Sequence, residues 1–430
     1  MEGEKLLLSQ RQLQRWHLMK MVEVGKITLK EVGEKIGVCY RQAKRIRRAL
    51  RQKGMRGLIH GNTGRPSHHR LSEVLRQKVL ELSKEVYPDF NDTHFTEKLG
   101  EEEGIVLSRE TVRKIRREAR IEPKRRRRGK RHRKRRERMV QEGWMVLWDG
   151  SPHLWFGEGS PPCCLMAAMD DANGRVLVAR FFPFEGTSGY FWLLREIVKQ
   201  HGIPVSIYQD RHSTLHRNDD HWSLEEQLAG RQDPTQVGFA LEALGIEPIF
   251  ALSPQAKGRM ERLFGILQDR LIAELRLAGI TSMAEANVFL KSFIKRFNRR
   301  FVIHPRESQK AWRKLPKELD LDRIISFGYR TTVGNDNTVR LGGLIMDIPP
   351  GPYRRSYARE KVEVRQFLDG TWRVYHRDQL IAKHPSTSLN EPVRALRRRK
   401  YHPRGVKDYS WVYLASAPPV DGNQLIQARP

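Results

Sequence analysis

The pattern of hydrophobic positions changes character near residue 141. Before that point apolar residues recur with a helical period, and after it they form short continuous runs typical of buried strands. Amphipathic helical segments separate the later runs. This order of three strands, helix, strand, helix, strand and helix predicts a mixed sheet flanked by helices. The predicted strands are 144–148, 164–169, 175–182, 205–208 and 247–252, and the predicted helices are 188–201, 234–244 and one around Glu261.

A first helical unit, predicted over residues 1–60, precedes the sheet. Thr28 is a predicted N-cap with Glu31 three residues later, which is a capping box, and Gly37 fits the tight turn before the next helix. That next helix is rich in arginine, so the unit is predicted to be a helix-turn-helix DNA-binding domain. An ordinary helical hairpin is the alternative. The predicted DNA contacts are Arg41, Lys44, Arg45 and Arg48.

Residues 61–122 are predicted to form a second helix-turn-helix-like DNA-binding domain. Ser108 is the predicted N-cap of its last helix. Arg109, Arg113 and Arg116 of that helix are expected to face outward, and Arg109 and Arg113 are predicted to contact DNA.

A basic linker follows over residues 123–140, with 12 Lys or Arg among the 16 residues 123–138. Such a run cannot pack in a core, so we expect it to lie on phosphates, with Arg126 and Arg131 among the contacts. A solvated linker is the alternative. The whole chain carries 80 Lys and Arg against 50 Asp and Glu, a net charge of +30, which predicts a nucleic-acid partner.

Several classes of protein do not fit this sequence. No apolar run approaches the roughly 18–20 residues of a membrane-spanning helix, and the amino terminus does not read as a signal peptide. The chain has three cysteines and no CxxC pair, which is typical of a reducing cytoplasm and does not indicate a zinc module. We therefore expect a cytoplasmic protein with no membrane partner.

Two aspartates each follow an apolar run, and a glutamate lies on a later helix. Asp149 follows 144–148, Asp210 follows 205–209, and Glu261 lies in a basic helical segment. Ligands gather at the carboxyl ends of strands in such sheets, and carboxylate oxygens suit Mg²⁺. Asp149, Asp210 and Glu261 are therefore predicted to be the catalytic residues and to bind two Mg²⁺ ions, with Mn²⁺ as a substitute and Asp149 as the bridging ligand.

The surroundings of Glu261 predict contacts with a DNA end. Lys257 and Gln268 lie four residues before and seven residues after it, so all three share one face of a helix, and Arg259 flanks them. An ordinary basic helix surface is the alternative.

The carboxyl-terminal third changes again. Residues 284–315 are predicted to be helical. Short strands then predict a small β-barrel over residues 321–385, with Asp369-Gly370 as a hairpin turn. Residues 386–430 combine a basic run with proline-rich sequence and are predicted to be a disordered tail.

Three motifs carry a resemblance to a known family: Trp148-Asp-Gly-Ser-Pro-His153, Tyr208-Gln-Asp-Arg-His-Ser213 and Ser253-Pro-Gln-Ala-Lys-Gly-Arg-Met-Glu261. The chain resembles DDE transposases of bacterial insertion sequences, in the retroviral integrase superfamily, and looks closest to the ISNCY-type group. The resemblance implies a multidomain α/β protein with all-α amino-terminal units, a ribonuclease-H-like core over residues 141–320 and a carboxy-terminal barrel.

The resemblance also implies a prokaryotic, nucleoid-associated protein, a reaction and partners. Asp149, Asp210 and Glu261 take the family's metal-ligand positions, and the enzyme would bind terminal inverted repeats, cleave strands and join them to target DNA as a homo-oligomer assembled on double-stranded DNA. The interval between Asp210 and Glu261 is longer than in compact integrases. Segment 211–233 is expected to be the loop insertion that accounts for the difference.

Two other functions fit the same pattern. One is a nuclease of the same fold that cleaves without strand transfer. The other is a non-catalytic DNA-binding regulator derived from a transposase, which the retention of all three carboxylates argues against.

Overall fold

A computed structural model describes residues 8–63, 70–124, 136–157, 159–217, 221–251, 258–352 and 354–387. The chain divides into two compact units, Met1–Glu81 and Leu82–Pro430. The six predicted domains are a finer division and stay a prediction.

The first unit is helical, as predicted. The Thr28 hydroxyl accepts the backbone N–H of Glu31 at 3.3 Å, and the Glu31 carboxylate accepts the N–H of Thr28 at 2.8 Å, which confirms the capping box. Gly37 ends that helix with a φ of 67°, a left-handed conformation that glycine adopts without strain. The helices are α1 (Gln10–Glu23), α2 (Leu29–Ile36) and α3 (Tyr40–Lys53), followed by a 3₁₀ turn at Gly54–Leu58.

The next three helices are α4 (Glu73–Glu85), α5 (Asp92–Glu101) and α6 (Arg109–Glu118). Ser108 caps α6 as predicted. The expectation that Arg116 faces outward is wrong, because Arg116 is 3% exposed and its guanidinium donates to the Phe90 carbonyl at 3.1 Å and to Asp92 at 2.8 Å. Arg116 lies four residues after the buried Val112, on the face of α6 that packs inward.

A five-stranded mixed sheet forms the centre of the second unit, with strand order β3-β2-β1-β4-β5. The first three strands are antiparallel, and the last two run parallel to β1, which is the order predicted from the sequence. The strands are β1 (Met145–His153), β2 (Cys163–Asp170), β3 (Val176–Phe182), β4 (Ser206–Gln209) and β5 (Glu247–Phe250).

Strand β1 is longer than predicted. The sequence places its end at Trp148, whereas the antiparallel pairing with β2 continues from Asp149 opposite Ala167 to His153 opposite Cys163. Asp149 therefore lies within a strand and not after one.

Helices cover both faces of the sheet. Helix α7 (Thr187–Gln200) packs on one face, where Trp148 and Tyr190 share a core. Helices α10 (Gly258–Leu277) and α11 (Met283–Phe301) pack on the other face, where Leu147 and Met260 share a second core. The remaining helices of this region are α8 (Leu224–Ala229) and α9 (Gln236–Ala243).

Two predicted boundaries in this region are wrong. Segment 211–233 is not loop throughout, because Ser223 and Glu226 form a capping box that begins α8. The helix predicted over residues 284–315 ends at Phe301, because Val302 is already extended.

The carboxyl-terminal region holds a short helix and two sheets. The four-stranded sheet has the order β11-β10-β9-β6, and β7 and β8 form a separate hairpin. Gly370, with a φ of 84°, makes the predicted turn between β9 and β10. Strands β6 and β11 were not predicted, closure into a barrel stays a prediction, and the predicted tail from residue 388 onward lies outside the described residues. The elements are α12 (Leu321–Ile324), β6 (Phe327–Thr332), β7 (Thr338–Leu341), β8 (Leu344–Asp347), β9 (Lys361–Gln366), β10 (Trp372–His376) and β11 (Gln379–His384).

No helix in the described part of the chain is both long enough and apolar enough to cross a membrane.

Candidate active site

Two aspartates lie side by side at the edge where β4 ends. The last paired residues of the parallel strands β1 and β4 are Leu147 and Tyr208. Asp149 and Asp210 each follow that pair by two residues, and neighbouring strands lie roughly 4.8 Å apart. The register therefore places the two aspartates at the same level of the sheet.

Asp149 faces the side of the sheet that α10 covers. Side chains alternate along a strand, so Asp149 shares a face with Leu147 and Ser151. Leu147 packs in the same core as Met260 of α10, which identifies the face. Asp149 is partly exposed at the end of this apolar core.

Asp210 begins the loop after β4. Tyr208, two residues earlier, also belongs to the core beneath α10. The Asp210 carboxylate accepts the backbone N–H of His212 at 3.0 Å, a local turn that fixes the direction of the chain as it leaves the sheet. Its side chain is partly exposed.

Glu261 is exposed on the first turn of α10. The helix forms because apolar residues recur at helical spacing and bury one stripe against the sheet. Gln268 lies seven residues after Glu261, on the same flank, and its side-chain amide donates to the Ser151 hydroxyl at 3.2 Å. This bond ties the flank that carries Glu261 to the strand that carries Asp149. The buried stripe is Met260, Leu263, Phe264, Leu267 and Leu271.

A second contact anchors the beginning of α10. Arg259 pairs with the carboxylate of Asp171 and donates to the Arg136 carbonyl at 2.6 Å. The Asp171 N–H in turn donates to the Met145 carbonyl at the beginning of β1. The predicted DNA contact of Arg259 stays a prediction, and in the structure its guanidinium forms an intramolecular ion pair with Asp171.

These two anchors show that α10 runs along β1 in the same direction. From Gln268, Glu261 lies roughly 10 Å back along the helix axis. From Ser151, Asp149 lies roughly 7 Å back along the strand. The two displacements are parallel, so Glu261 projects from the flank of α10 at about the level of Asp149.

The arrangement is open. Within the described residues, no three His, Cys, Asp or Glu side chains are grouped closely enough to hold a metal ion. The candidate site is thus an adjacent pair of aspartates with Glu261 on the neighbouring helix. An all-oxygen set of this kind suits Mg²⁺, which binds through one or two carboxylates and keeps waters and substrate phosphate as its other ligands.

A buried layer supports the two aspartates from the other face of the sheet. Trp148 and Gln209, the residues directly before Asp149 and Asp210, are both fully buried, and the Trp148 indole N–H donates to the Gln209 side-chain carbonyl at 3.1 Å. The Tyr190 ring packs against Trp148 with ring centroids 5.2 Å apart. This layer links the two strands directly beneath the carboxylates.

Glu185 is a further acidic residue beside the site, and the sequence pattern did not indicate it. Its carboxylate accepts the Tyr190 hydroxyl at 2.5 Å, and burial together with the Glu185 charge raises the pKa of Tyr190 well above its usual value. A Cβ added at Gly150 would lie 2.5 Å from a Glu185 oxygen and 2.9 Å from the Cys164 sulfur. The glycine directly after Asp149 is the one sequence signal that something approaches β1 closely at this point.

The other predicted DNA contacts are distributed over two helices and the undescribed segments. Arg109 and Arg113 are exposed on α6, and the Arg113 guanidinium pairs with Glu110 at 2.6 Å. The predicted contacts Arg126, Arg131 and Lys257 lie outside the described residues. Four predicted contacts are exposed on α3: Arg41, Lys44, Arg45 and Arg48.

Comparison with known proteins identifies the family. No family model matches the chain. The chain is 37% identical to "Putative transposase y4bF" of Sinorhizobium fredii over 388 residues, which cover 87% of this chain and 83% of the relative. It is 30% identical to "Transposase for insertion sequence IS1202" of Streptococcus pneumoniae over 434 residues, which cover 90% of this chain and 91% of the relative.

Solved structures show only a distant likeness. A chain of the simian T-cell lymphotropic virus intasome in complex with PP2A regulatory subunit B56 gamma matches with a TM-score of 0.30 and 15% identity, covering 71% of this chain and 99% of that one. A chain of a pre-cleavage Mos1 transpososome matches with a TM-score of 0.21 and 12% identity, covering 68% of this chain and 92% of that one. TM-scores this low do not establish a shared fold. The two sequence relatives, each aligned over most of its length, show that the chain belongs to the transposases of bacterial insertion sequences.

Proposed function

We propose that this transposase is a metal-dependent enzyme of the DDE type with a ribonuclease-H-like core, and that Asp149, Asp210 and Glu261 are its catalytic carboxylates. The observation that carries the proposal is the register of β1 and β4, which sets Asp149 and Asp210 at one level of the sheet on the side of α10. The hydrogen bond from Gln268 to Ser151 holds the side of α10 that carries Glu261 next to β1, and this supports a place for Glu261 near the two aspartates.

The oxygen donors of these three residues fit two Mg²⁺ ions, or Mn²⁺ in their place. Bound there, the ions would lower the pKa of an attacking water or hydroxyl and relieve charge on the leaving oxygen. Asp149, in the middle of the site, would hold both ions, and Asp210 and Glu261 would each complete the ligand set of one. The side chains have to approach further than they do in the open arrangement described above, which a cation favours because it removes their mutual repulsion.

The proposed reaction has two in-line displacements at phosphorus. In the first, water attacks the phosphodiester at the element end, and the 3′ oxygen leaves as a hydroxyl while the phosphate stays on the flanking strand. In the second, that 3′ hydroxyl attacks a phosphodiester of target DNA, and the target's own 3′ oxygen leaves. Each step makes one P–O bond and breaks one, so strand joining needs no external energy source.

DNA binding is proposed to begin at α3. Its exposed arginines and lysine lie on one short basic helix, and basic side chains of this kind contact phosphates and base edges. We propose that α3 contacts the terminal inverted repeats. Pairing of two element ends then implies a homo-oligomer assembled on DNA. The net charge of +30 supports a polyanionic partner.

The test incubates the full chain with labelled element ends, a supercoiled plasmid and Mg²⁺. We expect joined products from the unmodified protein and none from Glu261→Gln, with end binding retained. Glu242→Gln, which neutralises an exposed glutamate on α9, is the matched control and should leave joining unchanged.

A second readout does not depend on activity. Mn²⁺ should raise the thermal unfolding temperature of the unmodified chain, because a ligand that binds only the folded state stabilises it by about 2.7 kcal/mol at 100 times its Kd. Asp149→Asn and Asp210→Asn should lose most of that shift. Joining that survives Glu261→Gln would refute the assignment of Glu261. Cleavage without joining would indicate a nuclease, and binding without cleavage would indicate a DNA-binding regulator.

A further inference from the structure

Helix α5 is fixed to α10 by ion pairs. Glu97 of α5 pairs with Arg270 of α10 and with Arg300 of α11. Glu274 of α10 accepts from His94 at 3.0 Å and pairs with Lys98 at 3.2 Å, and all three side chains are at most 10% exposed. Helix α5 makes these contacts with α10 and α11, and the Arg109 and Arg113 side chains of α6 remain exposed. Helix α6 belongs to the same compact unit as α10, which carries Glu261.

A cleft of about 750 Å³ lies between α6 and α10. Its floor includes the apolar side chains of Ile266 and Phe301, and the Arg270 guanidinium stacks over the Phe301 ring at 5.0 Å. The basic residues that line the cleft come from α6, from the segment after it and from α10: Arg109, Arg113, Arg117, Lys124 and Arg270.

The acidic residues of the cleft are already neutralised. Asp92 pairs with both Arg116 and Arg117, at 2.8 and 2.6 Å. Glu110 pairs with Arg113, and Asp269 pairs with Lys124 at 3.2 Å. Arg109 is exposed and forms no ion pair within the described part of the chain. An anion that enters the cleft therefore meets a surplus of positive charge and no free carboxylate.

The basic side chains of α6 form a row. Arg109, Arg113 and Arg117 are spaced by four residues, so they rise along one side of the helix by about 6 Å at each step. A row of guanidinium groups matches the repeated charges of a phosphodiester backbone, since each planar fork pairs with phosphate oxygens. Such contacts hold the backbone and do not read the base sequence.

The cleft and the carboxylates occupy different sides of α10. At roughly 100° per residue, the α10 residues that line the cleft lie about 80° (Asp269), 140° (Ile266) and 180° (Arg270) around the helix from Glu261. A phosphate held in the cleft is therefore not the phosphate at the proposed metal site. We propose that the cleft between α6 and α10 is a second DNA site, which holds the backbone of duplex DNA away from the scissile phosphate and at a fixed spacing from it.

This inference rests on the proposed function for the identity of the DNA, and its test separates the two. The Arg109→Gln/Arg113→Gln variant of the full chain is compared with the unmodified chain for binding to an element-end duplex at increasing salt. Removing two phosphate contacts should reduce the slope of log K against log salt by about 2, at roughly 0.9 per contact. The same reduction is expected with a duplex of unrelated sequence.

The matched control removes two positive charges from the other face of the sheet. Arg195→Gln/Lys199→Gln lies on α7, where the two side chains are 32% and 44% exposed, and should leave the slope unchanged. Hydroxyl-radical footprinting should show that the α6 variant loses one protected stretch of backbone while the control keeps it.

The outcomes are distinguishable. An unchanged slope and footprint in the α6 variant would overturn the second site, even if joining by the unmodified chain succeeds. Glu261→Gln should keep the full slope and footprint while it loses joining. A third outcome is that the unmodified chain joins no DNA while the α6 variant still shows the smaller salt slope and the lost footprint. That result would support the second DNA site in the cleft and refute the proposed catalytic function.

Discussion

The contact between α5 and α10 makes a specific energetic prediction at Lys98. Its side chain is 7% exposed, and its two acidic neighbours are Glu274, which is 10% exposed, and Glu102, which is 56% exposed. Burial alone would raise the pKa of Glu274, but the hydrogen bond from His94 and the charge of Lys98 lower it overall. Burial lowers the pKa of His94, so Lys98 is the buried cation of this group near neutral pH.

Removing the charge of Glu274 should cost more folding free energy than removing the charge of Lys98. Glu274→Gln leaves the buried ammonium of Lys98 with only the largely exposed Glu102, and an uncompensated buried charge costs about 3 kcal/mol of folding free energy. Lys98→Met keeps the packed aliphatic chain and leaves Glu274 with His94 and with Arg296, whose guanidinium lies 3.6 Å away. The loss of one charged hydrogen bond should then cost about 1.5 kcal/mol.

The double variant tests the reasoning. With both charges removed, no unpaired ion remains, so Lys98→Met/Glu274→Gln should cost about as much as Lys98→Met alone. The assay is urea unfolding of the full chain, followed by tryptophan fluorescence, since the buried Trp148 and Trp155 both lie in the second unit. A double variant whose cost equals the sum of the two single costs would show that Lys98 does not depend on Glu274.

Two further predictions concern stability. Burial raises the pKa of Asp170 from 3.8 to about 6, so the stability that its protonated form contributes is fully present below about pH 4 and is lost as the pH rises through about 6. The free energy of unfolding of the unmodified chain, measured relative to Asp170→Asn, should therefore fall by about 2 kcal/mol between pH 4 and pH 7, and a constant difference would contradict this. In the first unit, a Cβ at Gly57 would lie 2.2 Å from the backbone carbonyl oxygen of Ala49, whereas one at Gly61 would meet nothing within 4 Å. Gly57→Ala should cost about 3 kcal/mol in urea unfolding and Gly61→Ala less than about 0.5, and equal costs would refute the packing argument.

Local chemistry allowed much of the fold to be predicted. The capping box at Thr28 and Glu31, the left-handed Gly37 and the hairpin glycine Gly370 depend only on near neighbours, and all are present. The order of strands and helices in the central sheet was also predicted, because continuous apolar runs and amphipathic segments differ in period. These features need no knowledge of distant contacts.

The end of β1 could not be predicted in the same way. The predicted strand ends at Trp148, before Pro152, and proline lacks the N–H that an internal strand donates. In the structure β1 pairs with β4 only as far as Leu147, and beyond that point it pairs with β2 alone. One side of β1 is free of a partner strand there, so Pro152 is tolerated and the strand continues past Asp149.

Long-range ion pairs hold two arginines in positions that the sequence does not indicate. Arg116 was expected on the surface because arginine is usually exposed, but Asp92, 24 residues earlier, and the Phe90 carbonyl accept hydrogen bonds from its guanidinium in a buried position. Arg259, whose DNA contact stays a prediction, pairs with Asp171, 88 residues earlier in the chain. Sequence spacing gives no sign of either partner, because each pair depends on how separate elements pack.

The placement of Arg259 and Gln268 changes the way in which Glu261 is understood. The sequence suggested a carboxylate surrounded by residues that hold DNA. In the structure, Arg259 fixes the beginning of α10 to the turn after β2, and Gln268 fixes a point seven residues beyond Glu261 to β1. Glu261 thus lies between two anchors on a rigid helix, and such support is what holds a catalytic group in position. The prediction that Gln268 contacts DNA is compatible with this positioning role, since its hydrogen bond to Ser151 uses one of the two N–H groups of its side-chain amide.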